Sequence, residues 1–118
     1  MNAYDLSEKE YRLALKAALV INAVRDALDA MTGIAVRLIE RGLTAEAANI
    51  LTYVRNNPDV HHETFDRADE LFMALEETAC PRVIEDAREF ILGKSLRTMA
   101  NYIDTIDLPD DPPPPADA

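Results

Sequence analysis

The residues equipped for chemistry are few. His61-His62-Glu63 and Asp66 open one apolar-periodic stretch, and His62 lies one helical turn from Asp66, a spacing at which imidazole and carboxylate can chelate zinc. Ligand-type residues gather in first turns by composition alone, and Glu63 and Asp66 also complement the positive end of a helix dipole. The adopted reading is therefore a solvated helix start without a metal. Cys80, the sole cysteine, precedes Pro81 at another helix start, where a thiolate is electrostatically favoured. No nucleophilic set is completed around it by spacing, and a small buried thiol in a turn is expected. Asp69-Glu70, Glu76-Glu77 and Glu85-Asp86 are sequence neighbours, which point to different sides of a helix, so they read as solvated faces rather than acid/base pairs. With no glycine-rich phosphate loop, nucleophile elbow or metal-ligand set, the chain reads as non-enzymatic and without a cofactor.

The 118 residues fit one small domain, and Leu and Ala outweigh Val, Thr and the aromatics, which favours helix over sheet. The formal charge is -10, from 22 acidic against 12 basic side chains, so nothing neutralises a phosphate backbone and direct nucleic-acid binding is not expected. Five of the acids, Asp104, Asp107, Asp110, Asp111 and Asp117, follow Ile103 with no Lys or Arg among them. Residues 107–118, rich in Asp and Pro, are expected to be a disordered acidic tail, and residues 1–106 the folded domain. The apolar run Ala17 to Ile21 is far shorter than the ~20 residues that span a bilayer. One cysteine and a start without a basic-then-apolar segment make the cytoplasm the simplest location.

The fold class that follows is all-α, with five to six helices. Ser7-Glu8-Lys9-Glu10 has capping-box spacing, and Tyr11, Leu15, Ala18 and Leu19 form the first apolar face, with Glu8, Lys9, Arg12 and Lys16 outside it. From Ser7 to Arg41 the pattern fits either one long helix or two that meet near Asn22. A second face runs through Ala27, Leu28, Met31, Ile34, Ala35 and Leu38 to Gly42, whose left-handed conformation ends helices cheaply. Thr44 is positioned to cap a third helix. The short link then folds Met31, Ile34, Ala35 and Leu38 back onto Ala47, Ile50, Leu51 and Val54. After the turn at Asn56-Asn57-Pro58-Asp59, a fourth helix carries Phe65, Ala68, Leu71, Phe72 and Leu75. A fifth begins at Pro81, and Ser95 caps a sixth that turns Leu96, Met99, Tyr102 and Ile103 inward. Met31, Met73, Met99, Phe65, Phe72 and Phe90 are expected in the core.

Met31, Ile34, Ala35 and Leu38, then Gly42, then Ala47, Leu51 and Val54, with Pro58 closing the unit, resemble the tetratricopeptide repeat family. Met31 replaces the family's bulky aromatic and Ala35 its glycine. The stretch Asp26 to Ile103, through Glu46-Ala47-Ala48-Asn49-Ile50-Leu51 and Glu63-Thr64-Phe65-Asp66-Arg67-Ala68-Asp69-Glu70-Leu71, is similar to the C-terminal repeat ends of large bacterial signalling ATPases and transcriptional activators. The resemblance implies a short right-handed array of stacked antiparallel hairpins and a role in protein contact. It carries over no activity, because the nucleotide- and DNA-binding modules of those proteins have no counterpart here.

In that family the first helix of each pair lines a groove, which would place Asp29, Thr32, Val36 and Glu40 toward a partner. Their acidic members suit a basic or amphipathic helical segment. An adaptor or regulatory scaffold is the first functional reading. The alternative is a small acidic inhibitor or antitoxin-like protein that covers a partner's nucleic-acid site, motivated by the acidic tail. So short an array also leaves apolar surface to cover, either by the fifth and sixth helices or by pairing as a homodimer.

Overall fold

The computed structural model describes residues 6–106, and the tail expected from residue 107 lies outside them. They form six helices and no strand: α1 (Glu8–Val20), α2 (Val24–Glu40), α3 (Thr44–Asn56), α4 (His62–Thr78), α5 (Pro81–Phe90) and α6 (Leu96–Thr105). The described residues form an all-α stacked array in which α1 to α4 each pack on the next and α5 packs on α3.

The first two links use one device. At the end of α1, Asn22 takes a left-handed φ of 56°, its N–H reaches Leu19 O at 3.2 Å and the Ala23 N–H reaches Ala18 O at 2.8 Å. Gly42 (φ 81°) repeats this after α2, its N–H on Ile39 O at 3.0 Å and that of Leu43 on Leu38 O at 2.9 Å. Both are Schellman turns, and Asn is among the few side-chain-bearing residues that enter the left-handed region readily. Ser7 to Arg41 is therefore two helices. The Ser7 capping box forms as read: Ser7 Oγ accepts from the Glu10 N–H at 3.1 Å and Glu10 Oε1 accepts from the Ser7 N–H at 3.0 Å. Thr44, expected as a cap, is instead the first residue of α3; Leu43 holds the cap position, where no side chain bonds the helix amides.

Helix α2 is the axis of the stack, packed by α1, α3 and α4. Met31, Ile34, Ala35 and Leu38 on α2 and Ala47, Ile50, Leu51 and Val54 on α3 are all fully buried, which makes the hairpin seam expected from the sequence. Each large side chain of that seam contributes about 2 kcal/mol relative to exposure, so the seam outweighs any single cap. On the opposite side the Tyr11 ring rests directly on Gly33, the one glycine inside a helix: a Cβ there would collide with ring atoms Cε1, Cδ1 and Cζ. Farther along, the Arg55 guanidinium lies 4.1 Å from the Phe72 ring centroid and bonds Asp69 at 2.9 Å, which ties α3 to α4. Helix α6 then turns back onto all three odd-numbered helices. Arg12 donates to Ile103 O at 2.9 Å, Asn49 donates to the Tyr102 hydroxyl at 3.0 Å, and the Phe90 and Tyr102 rings are 4.5 Å apart.

Three expectations are corrected. Met73 lies outside the core, at 56% exposure, because it falls on the outward side of α4 between Glu70 and Glu77. Cys80 is exposed, not buried, because it holds the cap position in the open link between α4 and α5. Glu8 and Arg12, read as outside the apolar face, are buried at 4% and 8%. Glu8 takes Arg12 Nη2 at 2.7 Å and both Nε and Nη2 of Arg41 at 2.9 Å, so the fork of Arg41 and the partner one turn along α1 neutralise it.

Three substitutions test this packing by chemical denaturation. Gly33→Ala gains about 1 kcal/mol of helix propensity but drives a methyl into a buried ring, which costs about 1–3 kcal/mol, so a net loss of stability is expected. Glu8→Ala strands two guanidinium groups, one of them buried, and is expected to cost about 3 kcal/mol. Thr52 is 1% exposed and its hydroxyl has no hydrogen-bond partner among the described residues, so Thr52→Val should leave stability unchanged or raise it by about 1 kcal/mol.

Candidate partner-binding surface

The four residues expected to line a groove do not form one surface. Thr32 is fully buried and its hydroxyl donates to Leu28 O at 3.0 Å, so it cannot meet a partner. Asp29 is half-buried and accepts from Thr64 Oγ1 at 3.3 Å; Val36 is half-buried; Glu40 is exposed and paired with Arg37 at 2.9 Å. The physical reason is that α2 has neighbours on both sides, and α4 lies against the face these residues share. The chemical candidates are likewise apart. His61 caps α4, Nδ1 accepting from the Glu63 N–H at 3.3 Å, with the His62 ring 4.7 Å away. Among the described residues no group of three or more His, Cys, Asp or Glu is placed to hold a metal.

The unusual surface lies on α1. Its solvent-facing half consists of Lys9, Glu10, Leu13, Ala14, Lys16, Ala17, Val20 and Ile21, more apolar than polar, with Leu13 at 58% exposure, Val20 at 82% and the adjoining Ile21 at 72%. By contrast, the exposed side chains inside α5 after Pro81 are Arg82, Glu85, Asp86, Arg88 and Glu89, the usual composition of a solvated face. Three of the five large exposed hydrophobic side chains among the described residues thus belong to one helix and its cap.

Beside this face a cleft of about 450 Å³ opens between α1 and α2. Ala14, Ala17 and Ala18 on α1 and Ala30 on α2 leave it unfilled, because no side chain there extends beyond a methyl. Tyr11 and Leu6 close one end and Ile21 the other, while the carboxylates of Asp26 and Asp29 stand at the α2 edge. Asp29 is the member of the expected set that reaches this cleft. A second cleft, about 260 Å³, separates α1 from α6, with Lys16, Arg97 and Asp104 around Leu15, Leu19 and Ala100.

The displaced ionisations all move away from neutrality. Hydrogen bonds from the Ser7 backbone and hydroxyl hold the Glu10 carboxyl below its ordinary range. Burial raises the phenol of Tyr53 against the Asn57 bond, and that of Tyr102 against the Asn49 bond, with the Glu46 charge adding to the rise at Tyr102. Acid–base catalysts are tuned the other way, toward the working pH. Among the described residues, the outward half of α1 and the cleft beside it form an apolar surface edged by Asp26 and Asp29, and no helix is long and apolar enough to cross a membrane.

The sequence signal for this surface was present but ambiguous. Ala14, Ala17, Ala18 and Ile21 recur at helical spacing beside the core stripe of Tyr11, Leu15 and Ala18, so the helix has two apolar faces and periodicity does not say which is covered. Compared with protein-family models, with curated proteins and with solved structures, the chain matches none of them.

Proposed function

We propose that this chain is a non-enzymatic protein-interaction module, a small tetratricopeptide-like adaptor or regulatory scaffold of the bacterial cytoplasm, that takes an amphipathic helix along the edge formed by α1 and α2. The observation that supports this most is the apolar outward half of α1 beside an open cleft whose far edge carries Asp26 and Asp29. A helix seated there would lay its apolar side on Ala14, Ala17 and Ile21 and set Lys or Arg against the two carboxylates. Contiguous exposed apolar surface with a polar border is the usual mark of a protein contact. Carboxylates at the rim would act more on association rate and selectivity than on total affinity.

Titration of the isotope-labelled chain with a synthetic Leu/Lys amphipathic helical peptide tests the reading. Amide shifts are expected along α1 and the first half of α2, and Asp26→Lys combined with Asp29→Asn is expected to weaken binding about tenfold, equivalent to ~1.4 kcal/mol. Shifts spread over α4 and α5, or affinity that ignores both substitutions, would reject it.

A further inference from the structure

We infer that the cleft between α1 and α6 is the docking site of this chain's own acidic, proline-bearing segment, residues 107–118. The contact is separate from the α1–α2 edge and does not rest on the interaction-module reading. Its starting point is fixed: Ile106 is 8% exposed, its N–H bonds Ile103 O at 3.0 Å, and its backbone is extended (φ -79°, ψ 125°). The chain therefore leaves α6 extended, two residues after Asp104, which lines the cleft. Arg97, on the same wall of the cleft, precedes Ile106 by nine residues of α6, which is about 13.5 Å at the helical rise. About five residues in polyproline geometry cover that distance at ~3.1 Å each, so the segment reaches every part of the cleft.

The chemistry of the cleft selects this occupant. Lys16, Arg97 and Asn101 line it, all exposed and all able to donate hydrogen bonds, against one carboxylate, that of Asp104. Neither Lys16 nor Arg97 makes an ion pair among the described residues. Leu15, Leu19 and Ala100 supply the apolar lining. The segment is the complement. It carries Asp107, Asp110, Asp111 and Asp117 with no Lys or Arg, and Pro109 and Pro112 to Pro115 have no amide N–H. Such a backbone can lie on apolar side chains and leave few donors unpaired, its carbonyls and carboxylates facing the donors of the cleft. Proline also holds it near the extended form beforehand, so little chain entropy is lost on docking, and the tether supplies a high local concentration. The cleft between α1 and α2, edged by Asp26 and Asp29 and lined by no Lys or Arg, repels the same segment.

Paramagnetic relaxation on the isotope-labelled full chain tests the contact, with a nitroxide on Pro112→Cys in a Cys80→Ser background. Docking is expected to broaden the amides of Leu19, Val20, Arg97 and Asn101 most, and to lose that pattern at ~1 M salt, where screening acts within ~3 Å. An undocked segment instead broadens residues by their nearness to Ile106, most at Asp104 and Thr105. Lys16→Glu with Arg97→Glu, both at exposed positions, should give the undocked pattern while far-UV circular dichroism keeps its helical signal. Adding Asp110→Lys and Asp111→Lys restores unlike charges and should bring the docked pattern back. The undocked pattern in the parent chain, a docked pattern that ignores salt and the charge changes, or a charge swap that fails to recover would overturn the inference. So would equal broadening of an unspun, isotope-labelled copy mixed with a spin-labelled one, which would make the occupant another copy's segment.

Discussion

Glu8 fixes how the first helix sits, and most of the surface described above follows from that. Its buried carboxylate is held by Arg12 from the next turn and by the fork of Arg41 at the end of α2, while Arg12 reaches on to the Ile103 carbonyl of α6. Three elements distant in sequence thus meet at one charge. Such a cluster adds little net stability over a well-packed apolar one, because each ion must be desolvated, yet any member left alone is costly. Its effect is on orientation. Helix α1 has two apolar faces, so hydrophobicity alone permits more than one rotation about its axis. A rotation that buried Leu13 and Val20 would carry Lys9 and Lys16 inward without partners and pull Glu8 away from Arg41. The ion cluster therefore selects the rotation that seats Tyr11 on Gly33 and leaves the apolar half outside.

The architecture is economical in its devices. Asn22 and Gly42 end successive helices with the same pair of backbone bonds, and each link is short enough that the following helix must double back. Two such reversals place α1 and α3 on either side of α2. This is why α2 buries residues nearly all round, from Ala27 and Leu28 through Thr32 and Gly33 to Leu38. The chain closes by laying α6 over α1, α3 and α5, which covers one side of the stack and leaves the outer edge of α1 bare.

That bare edge carries three of the five large hydrophobic side chains exposed among the described residues. His61 is occupied in capping α4, Cys80 is exposed in the link before α5, and the displaced carboxyl and phenols are held in their ordinary charge states at neutral pH. The bare edge itself is built from alanines, from Leu13, Val20 and Ile21, and from the carboxylates of Asp26 and Asp29 at its border.

The local order was legible in the sequence because it depends on local physics: the capping box at Ser7, the stop at Gly42, the proline opening α5, the Ser95 cap, and the seam from Met31 to Val54 whose 3.6-residue period leaves one solution. Asn22 hinted at a break but could not settle it, since whether an asparagine goes left-handed depends on the bonds its neighbours find. Tertiary structure decided what depends on long-range neighbours. Thr32 reads as a groove residue until α4 lies across α2, Glu8 and Arg12 read as solvated until Arg41 and Ile103 arrive from elsewhere in the chain, and Gly33 reads as a flaw until Tyr11 needs the space. Of the two apolar faces of α1, the sequence specified both, and only the fold, through one buried carboxylate, chose which would meet water.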